Sequence, residues 1–184
     1  MAILYDPKDR GFSDALSAVD RCQIAMLREL AQTTGGRLIL KGGMAMRVAV
    51  GSMRLTKDVD FDRAEGVSTA SVQGSIKRAL QYAAQSAGLR GPEIDVGKST
   101  ETTVRMRLAG MVAGASVRFV VEVSGRNPVA RDCHSRVQVV SPARYGMAPF
   151  MVDTYSHPML AASKVMAVMS ANRNVPRDVY DLND

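Results

Sequence analysis

At 184 residues the chain is long enough to bury a proper hydrophobic centre in one domain, or in a compact core with a small appendage. Its 46% hydrophobic and 23% charged content, free of repeats and low-complexity tracts, excludes fibrous and disordered classes. A net charge of +6 points to a polyanionic partner, and the lack of Trp argues for contact through phosphates and shape over extensive base stacking. No apolar run approaches the ~18 residues of a membrane helix, and the start, MAILYDPKDR, is charged by its sixth residue. No membrane association and a cytoplasmic address are therefore expected. Cys22 and Cys133 lack CxxC spacing and read as buried thiols; with His134 and His157 they form no zinc motif.

In chain order, Ser13 is a plausible N-cap for a helix running to about Thr33, with Leu16, Val19, Gln23, Met26, Leu27 and Leu30 on one stripe. Gly35 and Gly36 end it and turn the chain into a strand, Arg37 to Lys41. That strand stops at Gly42 and Gly43, and Met44 to Val50 has the composition of a helix. A glycine turn feeding a helix leaves backbone N–H groups free for an anion, and the missing Cβ permits close approach of phosphate. In Thr56-Lys57-Asp58-Val59-Asp60-Phe61 a strand would set Asp58 and Asp60 on one face, roughly 6 to 7 Å apart. Two such carboxylates suit Mg²⁺, with Mn²⁺ as a substitute, completed by water and substrate phosphate oxygens. An edge strand with solvated acids is the alternative.

Val72, Ile76, Leu80 and Ala83 mark a second amphipathic helix ending near Gly88. Glu93 to Val96, Thr103 to Ala109 and Ser116 to Ser124 alternate as strands, the last two forming a hairpin. Glu122 lies in an otherwise apolar stretch and is either a third carboxylate beside the Asp58–Asp60 pair or a surface acid paired with Arg118. Arg105, Arg107 and Arg118 form either a phosphate-binding row or a solvated sheet face. In the tail, a helix from His157 to Ala171 places Lys164 among small residues, where its ammonium can reach inward to a triphosphate, while Met159, Ala162, Met166 and Met169 read as core. Pro176 starts a further helix with Asp178 and Asp181 on one side.

Lys41-Gly42-Gly43-Met44-Ala45 followed by Arg54-Leu55-Thr56-Lys57-Asp58-Val59-Asp60, with Lys164 and then Arg177-Asp178-Val179-Tyr180-Asp181-Leu182, resembles the nucleotidyltransferases of the AbiEii/AbiGii toxin family. The resemblance covers roughly Leu38 to Leu182. It departs at Met44, where that family usually has Thr or Ser, so a hydroxyl to the phosphates is missing. It implies an α/β fold of nucleotidyltransferase type, a mixed twisted sheet flanked by helices with a short C-terminal helical appendage. Residues 1–150 would form the core and 151–184 a helical segment packed on it. It also implies transfer of a nucleotide from an NTP to RNA, most plausibly a tRNA 3′ end, and a cognate antitoxin.

In that scheme Asp58, Asp60 and Glu122 are the metal and catalytic carboxylates. Gly42 and Gly43 hold the β- and γ-phosphates by backbone, Lys164 and Arg47 form the cationic clamp, and Thr56, Asp178 and Asp181 complete the nucleotide site. Two rivals stand beside it: a non-catalytic nucleotide- or partner-binding module, motivated by Met44 and by a chain shorter than most of the family, and a transferase acting on protein or a small molecule.

Overall fold

The computed structural model describes residues 1–129, 133–170, 176 and 179. Asp178 and Asp181, with Arg177, lie outside the described residues, so their expected place beside the site is not observed. The strands are β1 (Ala2–Ile3), β2 (Leu38–Lys41), β3 (Asp58–Ala64), β4 (Arg90–Ser99), β5 (Thr103–Val112), β6 (Ala115–Val129), β7 (His134–Val140) and β8 (Phe150–Tyr155). The helices are α1 (Asp14–Thr34), α2 (Gly42–Ala45, continuing as a wider turn through Met46–Val50), α3 (Thr69–Ala87) and α4 (His157–Met169).

Among the described residues the strands form one mixed sheet in the order β1-β7-β8-β2-β3-β6-β5-β4. The pairs β3–β6 and β2–β8 are parallel, whereas β2–β3, β5–β6 and β4–β5 run antiparallel. Alternation separates the faces. Val59 and Phe61 on β3, Val104, Met106 and Leu108 on β5, and Val117, Phe119, Val121 and Val123 on β6 are buried in a continuous core. Burying each large apolar side chain contributes about 1.5–3 kcal/mol, and α1 and α3 cover this face.

Both long helices begin and end as their sequences dictate. The Ser13 hydroxyl accepts from the Leu16 N–H at 3.3 Å, and the Ser68 hydroxyl from the Ser71 N–H at 3.2 Å. Gly35 and Gly88 close them in the left-handed conformation. The α1 stripe packs as expected, with Val19, Met26, Leu27 and Leu30 in the core.

Three features differ from the sequence reading. The stretch 134–155 contributes two strands, and β8 lies inside the sheet between β7 and β2. The sheet thus continues past residue 150, and the C-terminal helical segment starts only at His157. On α4 the buried residues are Leu160 and Lys164, one turn apart, while Met166 and Met169 are largely exposed and are not the core residues that their spacing suggests. No helix among the described residues is long and apolar enough to cross a membrane.

Candidate functional site

The face of the sheet opposite α1 and α3 carries the candidate site. Strand alternation puts Asp58, Asp60 and Asp62 on this face of β3, with Val59 and Phe61 anchored beneath. The register sets Asp60 directly beside Lys41 of β2 on one side and Glu122 of β6 on the other. Lys41 leads straight into the glycine turn, which brings the turn and the acid pair together.

The turn is tightly packed around its two glycines. Gly42 has φ +68°, a left-handed conformation, and a Cβ there would stand 2.9 Å from Asp60 Oδ2. A Cβ on Gly43 would stand 2.6 Å from Arg54 Nη2 and 3.3 Å from the Thr56 Cβ. The pair is therefore wedged between a carboxylate and a guanidinium, a layout that offers a cation site and an anion site side by side. Arg54, quoted in the sequence motif without a role, is brought here by the loop ahead of β3. Thr56 shapes that loop: its hydroxyl donates to the Asp58 carbonyl at 3.1 Å and lies 3.3 Å from the Asp58 N–H, while Gln23 Nε2 donates to the Thr56 carbonyl at 3.0 Å.

Asp62 continues the alternation of Asp58 and Asp60 and was missed by a reading that stopped at two acids. Its carboxylate is nearly closed to solvent and takes Lys41 Nζ at 2.7 Å on one oxygen and the Tyr155 hydroxyl at 2.7 Å on the other. Burial, with the hydrogen bond to Asp62, pushes the Tyr155 phenol well above its ordinary range, so it remains a donor. Asp62 thereby ties β2, β3 and β8 together under the site.

Glu122 shares the face and the register of Asp60, but its carboxylate is drawn across to β5, where Oε2 accepts from Arg105 Nε at 2.7 Å. Its ion partner is Arg105 and not Arg118. Among the described residues no three carboxylate, histidine or cysteine side chains gather closely enough to hold a metal ion. The expected trio of Asp58, Asp60 and Glu122 thus reduces to the β3 pair. That pair still fits Mg²⁺, which is commonly held by one or two carboxylates with phosphate oxygens and water filling the remaining positions.

Arg47 corrects the sequence reading most sharply. It is fully buried, and its guanidinium grips Asp20 with Nε–Oδ1 at 2.7 Å and Nη2–Oδ2 at 2.8 Å. The same group lies 4.3 Å above the Tyr5 ring, and the Tyr145 hydroxyl donates to Asp20 at 2.6 Å. A cation so engaged in the core is not a phosphate clamp. It braces α2 against α1. Lys164, by contrast, is buried on the side of α4 that faces inward, 6% exposed. Cys22 is also buried, which pushes its thiol up to about 12 and leaves it unreactive.

Met44 is fully buried and belongs to the core beneath the turn. Its side chain packs into the core, so the methionine at this position serves packing. Met44→Thr is expected to lower stability by about 1–3 kcal/mol through lost apolar burial and a buried hydroxyl. Thermal melting of the two proteins without nucleotide measures this; an unchanged melting temperature would contradict it.

The family description "Nucleotidyl transferase AbiEii toxin, Type IV TA system" matches residues 25–184. The chain belongs to the AbiEii family. Among solved structures, JHP933 from Helicobacter pylori is similar with a TM-score of 0.66 at 17% identity, over 93% of this chain and 66% of that one. A candidate nucleotidyltransferase from H. pylori gives 0.64 at 18% identity, over 92% and 67%. The chain therefore spans about two thirds of the length of each. At these identities the likeness shows the fold, and AbiEii membership gives the class of chemistry, nucleotidyl transfer, in a family described as type IV toxins. No curated protein sequence matches the chain significantly.

Proposed function

We propose that the protein is a Mg²⁺-dependent nucleotidyltransferase that adds a nucleotide from an NTP to an RNA acceptor, a tRNA 3′ end being the favoured target. The observation that carries this reading is the glycine turn wedged against Asp60, with Asp58 on the same face and Arg54 on the other side of the turn. In the reaction the acceptor hydroxyl oxygen bonds to the α-phosphorus as the bond to the β-phosphate oxygen breaks, and pyrophosphate leaves. When bound by Asp58 and Asp60, Mg²⁺ would neutralise charge developing on the phosphates. The backbone N–H groups at the start of α2 and the Arg54 guanidinium hold the β- and γ-phosphates. Lys164 supplies a further positive charge from α4. Asp60 and Glu122, side by side in the sheet, are acceptors that this face offers for the hydroxyl proton.

RNA is favoured as acceptor by charge placement. Arg105, Arg107 and Arg118 stand on the same sheet face as Asp58 and Asp60, since Arg107 pairs with Val120, Val120 with Asp58, and Arg105 with Glu122. Phosphate-directed contact along β5 and β6 suits a chain poor in aromatic residues. The burial of Met44 removes one of the two motives for a non-catalytic reading; the shorter chain remains. Type IV context supports a cognate antitoxin as partner.

Incubation with each labelled NTP, Mg²⁺ and total cellular RNA tests the proposal. A labelled tRNA band is expected. A labelled protein band would move the acceptor to protein, and nucleotide binding without any label would end the catalytic reading. Lys164→Ala is expected to weaken triphosphate binding far more than monophosphate binding in calorimetry, because a point charge aimed at β- and γ-oxygens has nothing to grip in an NMP. Equal weakening of both would place Lys164 elsewhere.

A further inference from the structure

We propose that a cavity of about 180 Å³ on the helical side of the sheet, away from the acid face, binds a small phosphate-bearing anion. It opens where the first turns of α1 meet the end of α3, the β5–β6 turn and the segment Ala143–Tyr145, and this assignment is independent of the transfer reaction.

Two of its lining residues each carry a polar atom that is closed to water and without a partner. Ser17 is 4% exposed, yet its hydroxyl neither donates nor accepts a hydrogen bond among the described residues. A helical serine usually relieves itself on the carbonyl four residues back, but that carbonyl, of Ser13, takes the Ser17 N–H at 3.0 Å and gets no bond from the hydroxyl. Arg21, one turn further along the same side of α1, has its Nε closed to water and equally without a partner, and it enters no ion pair among the described residues. The other charges nearby are already balanced. Lys8 Nζ meets Asp14 Oδ1 at 2.5 Å, and Arg144 pairs with Asp6. One guanidinium charge and one buried hydroxyl are thus left uncompensated at a cavity whose remaining wall, including Ala18, Ala87 and Val112, is apolar.

A phosphate group answers both needs. Its oxygens would accept from the Arg21 guanidinium once Nε turns outward, its charge would offset Arg21, and rotation of Ser17 about χ1 would turn the hydroxyl toward the cavity. The apolar wall leaves room for a short carbon stub, so the phosphate can be free or carried as a small monoester.

Calorimetric titration of the full chain with inorganic phosphate and with glycerol 3-phosphate, at ionic strength matched with NaCl, tests this. Saturable binding to one site per chain is expected, and tighter binding of the monoester would identify the carbon-bearing form as the occupant. Arg21→Gln should weaken it by about ten-fold or more and Ser17→Ala by several-fold, as expected for hydrogen bonds to a charged group. ATP binding should stay within about two-fold in both variants, because the sites share no residue. Ser17→Ala removes only an unsatisfied hydroxyl, so it folds even if Arg21→Gln does not. Absence of saturable binding by either ligand, or binding that neither substitution alters, overturns the proposal; in the second case the anion sits in the glycine turn.

Discussion

Asp60→Asn is expected to lower nucleotidyl transfer by about 10³-fold or more while leaving the fold intact. The substitution is isosteric, so the wedge against Gly42 stays filled and the pairing of Asp60 with Lys41 and Glu122 in the sheet is undisturbed. What is lost is a negative oxygen where the glycine turn and the acid face touch. The fold should hold, because Asn fills the volume of Asp60 and β3 stays anchored by Val59 and Phe61 in the core. Incorporation of labelled NTP under single-turnover conditions, beside thermal melting of both proteins, separates the two effects. A variant that transfers at the wild-type rate would remove the β3 pair from the chemistry.

The largest effect on stability is expected from Arg47→Met. The side chain is fully buried, and its removal strands the Asp20 carboxylate in the core with the Tyr145 hydroxyl as its remaining donor among the bonds described above. Breaking a buried ion pair from one side costs about 3–5 kcal/mol. Against a total of about 5–15 kcal/mol for a domain, that is a large share. The double variant Arg47→Met/Asp20→Leu should recover much of the loss, since an apolar pair of similar volume leaves no isolated charge. Urea unfolding of the three proteins measures it. A single-variant loss below about 1 kcal/mol would show that the pair is no brace.

The glycine turn and the alternating acids were readable because their chemistry is local: a strand of period two needs only its own residues to place Asp58 and Asp60 on one side. Ser13 and the glycines that end α1 and α3 are legible for the same reason. Arg47 was not. Its partner lies in another helix, and nothing in a single sequence distinguishes a buried arginine from a solvated one. Asp62 could have been found by carrying the alternation two residues further. The strands of 134–155 escaped because β8 is central and its parallel neighbour is β2, far back in the chain, where the Thr154 hydroxyl reaches the Leu40 carbonyl at 3.1 Å. Met44 escaped because its helix is too short for periodicity to show which side faces the core.

The position of β8 has a consequence for synthesis. Of the described strands it is the last to leave the ribosome, yet it fills the gap between β7 and β2. Until Phe150–Tyr155 is made, β2 presents a bare edge in the middle of the future sheet, and Asp62 lacks the Tyr155 hydroxyl that helps hold it beneath the glycine turn. A chain cut before Phe150 therefore carries the acids and the turn without the strand that locks them in place, and synthesis of β8 becomes the step that closes the sheet around them.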